Sequence, residues 1–218
     1  MKSNETYHIH SWSRNLGIDL TFFQVRLLRI YLEELCEWNR KFNLTGLKSR
    51  QKIIKELLLD SMLPALYLPH RGRLLDIGSG AGFPGIPLAV CRPELVVTLL
   101  EPNMKKVSFL KQIVRLTRLS HVHVIRGRMD QDTDLLHPEG YQVITARALA
   151  SLPELLRWCV PHLVSGGLMV HFQGHGFTEV PDRYSTLISQ YDLSLYRTIP
   201  YRIPGKHSRR AIRIFRKL

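Results

Sequence analysis

An apolar run that ends in an acidic residue leads directly into a glycine-rich turn at residues 73–87. The segment reads Arg-Leu-Leu-Asp-Ile-Gly-Ser-Gly-Ala-Gly-Phe-Pro-Gly-Ile-Pro. Glycine is needed in such a turn because the backbone adopts positive φ angles and must approach a ligand with no Cβ in between. The free N–H groups of the turn and of the following helix start can donate to polar ligand atoms. The segment therefore predicts a strand, a nucleotide-cofactor pocket and a helix, in that order.

Two glycine registers overlap in this turn. Gly78-x-Gly80-x-Gly82 fits enzymes that bind S-adenosylmethionine, whereas Gly80-x-Gly82-x-x-Gly85 fits the dinucleotide fingerprint. In the dinucleotide register the first glycine should directly follow the apolar strand, but residues 76–79 precede Gly80. The first register has the strand immediately before its acidic residue and Gly78, and it is therefore favoured.

A second acidic residue supports this pocket. Residues 95–100 form a run typical of a buried strand, and Glu101 follows it, nineteen residues after Gly82. A carboxylate at the end of the second strand of a βαβ unit can accept hydrogen bonds from ribose hydroxyls, and the expected spacing is about 20 residues. We therefore predict that Glu101 holds the ribose of the cofactor. The alternative is a surface glutamate at a strand end.

Strands and helices alternate from residue 73 onward, which predicts a doubly wound parallel sheet with right-handed crossovers. Strands are predicted near 73–77, 95–101, 122–126, 141–146 and 167–173, and helices near 84–91, 103–118, 152–163 and 179–190. The strand-like runs 193–201 and 211–216 should pair antiparallel. The predicted class is α/β, a Rossmann-like methyltransferase fold whose mostly parallel seven-stranded sheet ends in an antiparallel hairpin.

Residues 1–70 are predicted to form an N-terminal helical extension ahead of a methyltransferase domain at 71–218. Thr21 and Gln24 fit a capping box that opens a helix. A core-facing stripe should follow at helical spacing, formed by Phe23, Leu27, Ile30, Tyr31, Leu35 and Trp38. Trp38 and Phe42 could instead stack on RNA bases, but core packing is favoured. A second helix is expected over 49–63, ending at Pro64.

The charge balance points to a polyanionic partner. Thirty-one Lys and Arg residues against eighteen Asp and Glu residues give a net charge of +13. No apolar segment approaches the ~18–20 residues that cross a bilayer, so we expect a cytoplasmic protein without a membrane partner. The three cysteines form no Cys-x-x-Cys pair and are interpreted as core residues. The histidine pairs lack the partners of a recognised metal site, so no metal is predicted.

Taken together, these residues resemble one family, the bacterial methyltransferase G of the small ribosomal subunit, also called GidB. The matching pieces cover most of residues 16–175 and comprise Trp38-Asn39, Phe42-Asn-Leu-Thr45, Leu59-Asp-Ser61, 76–87, Lys106-Val-Ser-Phe-Leu110 and Thr145-Ala-Arg-Ala-Leu-Ala-Ser151. The resemblance implies an S-adenosyl-L-methionine-dependent enzyme that methylates N7 of a guanine in 16S ribosomal RNA. The RNA would be bound free or in the small subunit, by a monomeric protein.

The resemblance also implies roles for individual residues. The cofactor-binding set comprises Asp76, Gly78, Ser79, Gly80, Gly82, Phe83, Glu101, Arg128, Met129, Asp130 and Arg147. Asp76 would organise the turn or the amino group, and Met129 and Asp130 would lie near adenine. Arg128 and Arg147 follow strands and should emerge at the ligand-binding edge of the sheet. Both are expected to position RNA or the cofactor carboxylate, and no residue is assigned as a general base.

The RNA-binding set comprises Arg147, Arg202, Lys206, Arg209 and Arg210. With Arg213, Arg216 and Lys217, the C-terminal members predict a basic phosphate-binding surface without acidic residues. Two departures from the family pattern concern substrate contacts. Glu56-Leu57 stands where the family usually has Arg-His, and Gln173-Gly174 where many members have Lys-Gly.

Three alternatives remain open on the sequence. The chain could be a methyltransferase of the same fold with a small-molecule or protein substrate, which the two departures would support. It could be an RNA-binding assembly factor that binds cofactor without turnover. A nicotinamide oxidoreductase is disfavoured by the glycine register and by the terminal hairpin.

Overall fold

Seven strands form a single mixed sheet in the computed structural model, which describes residues 2–173, 184–202 and 209–218. The strands are β1 (Gly72–Ile77), β2 (Leu95–Leu100), β3 (Val122–Ile125), β4 (Tyr141–Arg147), β5 (Leu163–Gln173), β6 (Leu193–Arg202) and β7 (Arg209–Lys217). They lie in the order β3-β2-β1-β4-β5-β7-β6. Strands β1 to β5 run parallel to one another, and β7 runs antiparallel to both β5 and β6. The predicted α/β class and the antiparallel ending are confirmed.

The helices cover both faces of the sheet, and the first four of them precede the sheet in the chain. They are α1 (Lys2–Asn15), α2 (Phe22–Phe42), α3 (Arg50–Ile53), α4 (Leu59–Met62), α5 (Gly85–Cys91), α6 (Met104–Thr117), α7 (Leu152–Cys159) and α8 (Ser185–Gln190). A π-helical turn, Ile54–Leu58, joins α3 to α4, and a 3₁₀ turn, Leu63–Leu66, follows α4. The predicted helix over 49–63 is therefore present with a π turn inside it, and Pro64 lies within the 3₁₀ turn that extends it.

The strand order places the ligand-binding edge at the centre of the sheet. Strand β1 pairs with β2 on one side and with β4 on the other. The chain winds outward in opposite directions from β1 and β4, and ligands bind at such a switch point, beyond the carboxyl ends of the strands. The segments after β1, β2 and β4 therefore meet at one edge.

Two predicted boundaries near the C-terminus are wrong. Strand β5 begins at Leu163, and α7 ends at Cys159 before a 3₁₀ turn over Val160–His162. The earlier end has a physical reason, because Pro161 has no N–H to continue a helix. Of the helix predicted over 179–190, the described part is α8, and residues 179–183 lie outside the described residues.

Two features of the N-terminal region differ from the sequence prediction. Helix α1 was not predicted, because its polar residues give no apolar periodicity. The capping box of α2 is confirmed: the Thr21 hydroxyl accepts from the Gln24 N–H, and the Gln24 side chain accepts from the Thr21 N–H. Phe23, however, is 65% exposed. The buried face of α2 is centred on Leu28, and Phe23 lies about 140° around the helix from it.

Helices from residues 1–70 share a hydrophobic core with the sheet. Leu28 and Tyr31 of α2 belong to the same buried cluster as Leu74 of β1 and Val170 of β5. The division of the chain at residue 70 stays a prediction. In the described ranges, no helix is long and apolar enough to span a membrane.

The corrected core face of α2 generates a stability prediction. Leu28→Ala should lower the free energy of unfolding by about 2–5 kcal/mol, because a fully buried side chain leaves a cavity. Phe23→Ala should change it by less than about 0.5 kcal/mol, since exposed positions tolerate substitution. Urea unfolding followed by circular dichroism measures both. Equal losses of unfolding free energy in the two variants would contradict the observed buried face of α2.

Candidate active site

The glycine turn after β1 is held in a left-handed backbone conformation. Gly78, Gly80 and Gly82 have φ angles of 64°, 59° and 97°. The Ser79 hydroxyl donates to the Asp76 carbonyl at 2.8 Å, and the Ser79 N–H donates to the Leu100 carbonyl at 3.1 Å. The turn is therefore fixed to the ends of both β1 and β2, and its positive φ angles explain why glycine stands at these three positions.

The space around each glycine differs. A Cβ on Gly78 would lie 2.7 Å from Leu149 Cδ1, and one on Gly82 would lie 2.8 Å from Ile86 Cγ1. A Cβ on Gly80 would meet no atom closer than the Gly78 carbonyl oxygen at 3.8 Å. Packing thus accounts for the outer two glycines. At Gly80 the turn leaves open room, which is what a bound ligand would require.

Glu101 lies beside this turn, in contact with Gly80. Its carboxylate is nearly buried and accepts from the Gly80 N–H at 2.8 Å and from the Asn103 N–H at 2.9 Å. Asn103 in turn caps α6 by accepting from the N–H groups of Lys105 and Lys106. The structure thus brings together Glu101 and the glycine turn, as the spacing predicted, and a carboxylate stands beside the open room at Gly80.

Asp76 is fully buried behind the turn. Its carboxylate accepts from the Thr145 hydroxyl at 2.7 Å and from the Gly85 N–H at 3.1 Å. Burial raises the pKa of Asp76 from 3.8 to about 7, and the hydrogen bonds from Thr145 and Gly85 oppose that rise. Asp76 therefore joins β1, β4 and the start of α5. Of the two roles predicted for it, organisation of the turn is the one that its contacts support.

The loop after β3 contains three of the predicted residues. Arg128 and Asp130 form a two-point ion pair with N–O distances of 3.0 Å, and the Arg128 side chain is 54% exposed. The hydrogen bond from Arg128 holds the pKa of Asp130 below its ordinary value. Met129 is buried in the hydrophobic core. The side chains of Arg128 and Asp130 thus contact each other at the surface.

Phe83 and Tyr31 connect the turn to the N-terminal helices. The Phe83 ring is buried against Tyr31 with centroids 5.3 Å apart. The Tyr31 hydroxyl donates to the Ala81 carbonyl at 2.7 Å. Phe83, which the resemblance placed in the cofactor set, has its ring in the hydrophobic core. Tyr31, predicted only as a core residue, supports the glycine turn directly.

Arg147, at the end of β4, contacts the helical extension. Its guanidinium donates to both carboxylate oxygens of Asp60 at 2.7 and 3.0 Å, and to the Glu56 carbonyl at 2.8 Å. It also lies 5.4 Å from the centroid of the Phe172 ring. Burial opposes the charge, but Asp60 outweighs it and raises the pKa of Arg147 above its ordinary value. Arg147 is therefore a charged group held in place by a buried carboxylate.

The same carboxylate attaches the C-terminal hairpin. The Tyr201 hydroxyl donates to Asp60 Oδ2 at 2.8 Å, and Arg210 Nη1 lies 3.7 Å from that oxygen. Arg210 Nη2 lies 3.8 Å from Glu56 Oε2. Glu56, the acidic residue at the family's usual arginine position, therefore faces a basic residue of β7. Sequence reasoning missed Asp60 and Tyr201, although Asp60 lies in the Leu59-Asp-Ser61 motif.

The prediction of a continuous basic surface at the C-terminus is wrong in part. Arg213 is buried, the Arg210 side chain is 13% exposed, and Lys217 donates to the carbonyls of Val160 and Leu163. The reason is the position of β7, which lies between β5 and β6 and is covered on both faces. Arg202 and Arg209 are exposed and face each other across β6 and β7.

Two further expectations concern residues at or beyond the limits of the described ranges. Lys206 lies outside the described residues, as does Gly174 of the Gln173-Gly174 departure. Gln173 ends β5 opposite Ala211. Within residues 2–173, 184–202 and 209–218, no group of three or more His, Cys, Asp or Glu side chains could hold a metal ion.

Comparison with known proteins identifies a family. Residues 24–192 match the GidB family, described as rRNA small subunit methyltransferase G. The chain is 38% identical over 159 residues to the ribosomal RNA small subunit methyltransferase G of Neisseria meningitidis serogroup B, covering 73% of this chain and 75% of the relative. It is 35% identical over 195 residues to that of Chloroflexus aggregans, covering 88% and 82%.

Solved structures share the fold. TYW2 of M. jannaschii in complex with AdoMet superposes with a TM-score of 0.55 at 16% identity, covering 73% of this chain and 75% of that one. The YcgJ protein of Bacillus gives a TM-score of 0.55 at 13% identity, covering 72% and 98%. At these identities the comparison establishes the fold, in agreement with the predicted class.

The burial of Asp76 predicts a pH-dependent stability. Because the folded protein holds the Asp76 proton up to about pH 7 and the unfolded chain releases it near 3.8, this group favours folding at acid pH and loses its contribution as the pH rises. Asp76→Asn cannot ionise. The stability of the unsubstituted protein relative to this variant should therefore fall by roughly 2–3 kcal/mol between about pH 5 and 8.

Urea unfolding of both proteins across this pH range measures that difference. The exposed carboxylate Asp134 provides the matched control, and Asp134→Asn should shift the corresponding difference by less than about 0.5 kcal/mol. A difference for Asp76→Asn that stays constant with pH would show that Asp76 is already ionised at pH 5 in the folded protein.

Proposed function

This chain belongs to the rRNA small subunit methyltransferase G family, and from that membership we propose that it transfers a methyl group from S-adenosylmethionine to N7 of a guanine in 16S ribosomal RNA. The observation that carries the cofactor half is the pairing of Gly80 with Glu101. Open room at a positive-φ glycine lies beside a buried strand-end carboxylate, 2.8 Å from the glycine N–H.

The residues present fit S-adenosylmethionine. We assign the Glu101 carboxylate to the ribose hydroxyls and the backbone of Gly78, Gly80 and Gly82 to the methionine part and adenosine. The Asp76 carboxylate holds the turn in shape from behind. Met129 and Asp130 remain the proposed adenine neighbours, because both lie on the loop that follows β3. Arg128, paired with Asp130, holds that loop at the pocket rim.

The reaction needs little acid–base chemistry from the protein. S-adenosylmethionine supplies a methyl group on a positively charged sulfur, and N7 of guanine carries a lone pair that requires no deprotonation. The residues of this chain then have to hold the base within about 3–3.5 Å of the reacting carbon and exclude competing orientations. Arg147 is the proposed positioning group on the substrate side, because it is charged, nearly buried and fixed by Asp60 at the end of β4.

Exposed cations supply the RNA contacts in this proposal. Arg202 and Arg209 lie side by side where β6 ends and β7 begins, and there they can neutralise neighbouring phosphates. Arg210 is largely buried beside Glu56 and Asp60, and in this proposal it supports the end of the hairpin that carries these two arginines. Lys206 belongs to the same proposed set. We further propose that the protein is a cytoplasmic monomer in its free state, that the helical extension ends near residue 70, and that the RNA is recognised free or within the small subunit.

Gly80 provides a direct test of the pocket. Gly80→Ala should lower S-adenosylmethionine affinity at least about tenfold, because its Cβ occupies the open room, while stability falls by about 1–2 kcal/mol from left-handed strain. Gly166→Ala is the matched control. Gly166 also has a positive φ, 73°, with nothing within 4 Å, but it lies in the first half of β5, toward the opposite edge of the sheet.

Isothermal titration calorimetry measures affinity, and urea unfolding measures stability. The control variant should lose similar stability and keep full affinity. Unchanged affinity in a folded Gly80→Ala protein would remove the pocket assignment.

The activity itself is tested by methyl transfer. Radiolabelled S-adenosylmethionine is incubated with unmodified 16S RNA, naked and in small-subunit particles, and the digested nucleosides are separated. Label in 7-methylguanosine is the expected result. Cofactor binding and salt-dependent RNA binding without any label would indicate an assembly factor. Label in another nucleoside, or in protein alone, would show that the changes at Glu56 and Gln173 accompany a different substrate.

A further inference from the structure

A second cavity lies away from the glycine turn, between the N-terminal helices and the C-terminal hairpin. Its volume is about 130 Å³, and its walls include Trp12, Leu16, Lys55, Leu63, Tyr201 and Arg202. An apolar cavity of roughly 150 Å³ admits benzene, so this one has room for one planar ring system of similar size.

The walls combine three chemical features. Trp12 and the leucines give an apolar side. The Trp12 ring stacks on His8 with ring centroids 5.3 Å apart, and Lys55 Nζ lies over the Trp12 ring, 5.9 Å from its centroid. Lys55 and Arg202 add two positive charges. At the polar end, the Tyr201 hydroxyl donates to the Asp60 carboxylate. An aromatic face beside cations is the combination that binds a base and its phosphate in single-stranded nucleic acids.

The position of the cavity connects it to the proposed substrate path. Asp60, which lines it, is the residue that holds Arg147 at the end of β4. Arg202, on the other side, faces the exposed Arg209 across the hairpin. Asp60 thus links the cavity to Arg147 at the end of β4, and the exposed Arg202 of the hairpin belongs to the cavity wall.

We propose that this cavity binds an unpaired nucleotide of the RNA substrate, with its base against Trp12 and its phosphate on Lys55 and Arg202. The assignment rests on the proposed function, since RNA is the polyanion that brings bases and phosphates together. It adds α1 and the π turn to the RNA-binding surface. The RNA-binding set that the family resemblance implies has no member in either element, although the π turn carries the Glu56-Leu57 departure.

Direct RNA binding tests the proposal without depending on methyl transfer. The probe is a short fluorescein-labelled single-stranded RNA, titrated by fluorescence anisotropy at several salt concentrations. Trp12→Leu keeps an apolar side chain and removes the aromatic face, and it should weaken binding about tenfold. Lys55→Ala should weaken binding and reduce the slope of log K against log salt by about 0.7, the value for one phosphate on a single strand.

Lys52→Ala is the matched control, because Lys52 is an exposed lysine less than one turn before Lys55, outside the cavity. It should leave RNA affinity within about twofold of the unsubstituted protein, as surface changes away from a site do. All three variants should keep S-adenosylmethionine affinity, which shows that each is folded.

The outcomes separate this proposal from the proposed function. RNA binding lost in Trp12→Leu and Lys55→Ala, in a protein that transfers no methyl group, supports the cavity and removes the catalytic proposal. Methyl transfer to 16S RNA by the unsubstituted protein, with Trp12→Leu and Lys55→Ala indistinguishable from Lys52→Ala in RNA binding, overturns the cavity and leaves the catalytic proposal standing. No RNA binding by the unsubstituted protein overturns the cavity as well.

Discussion

The ion pair between Asp60 and Arg147 joins the three regions of the chain that build the substrate face. Arg147 ends the central strand β4, Asp60 belongs to the helical extension, and Tyr201 and Arg210 of the C-terminal hairpin reach the same carboxylate. A buried carboxylate without its cation is strongly unfavourable, and loss of one partner of such a pair costs about 3–5 kcal/mol. The relative placement of extension, sheet edge and hairpin therefore depends on this contact.

The cofactor half and the substrate half of the site are built on different principles. In the cofactor half, the glycine turn, Asp76 and Glu101 lie within one βαβ unit and are linked by short hydrogen bonds. In the substrate half, the interacting residues are separated by 87 to 154 positions in the chain. The first half is shaped mainly within this unit and is supported by hydrogen bonds from Thr145 and Tyr31, whereas the second half depends on long-range contacts throughout. Glu56 illustrates the difference, because its acidic charge is matched by Arg210 of a distant strand.

Much of the architecture was predictable because its signals are local. The capping box of α2, the alternation of strands and helices and the spacing from Gly82 to Glu101 each depend on a few neighbouring residues. The incorrect predictions concern features that the neighbouring residues in the sequence do not determine. Helix α1 has no apolar periodicity, Phe23 fits a helical stripe whose true centre is Leu28, and Arg213 is basic yet buried. Composition marks an arginine as charged, but its exposure depends on which strands lie beside its own.

The fold class, the glycine turn and the acidic residue at the end of the second strand could all be inferred from short stretches of the chain. Glycine at positive φ and apolar runs of strand length leave few other conformations for this segment, so local physics was sufficient. The contact of Arg147 with Asp60, the attachment of Tyr201 and Arg210 to the same carboxylate, and the cavity beside Trp12 and Lys55 became visible only in the folded chain. The partner of a charged side chain and the walls of a cavity depend on long-range packing, because strand order and helix placement bring distant residues together.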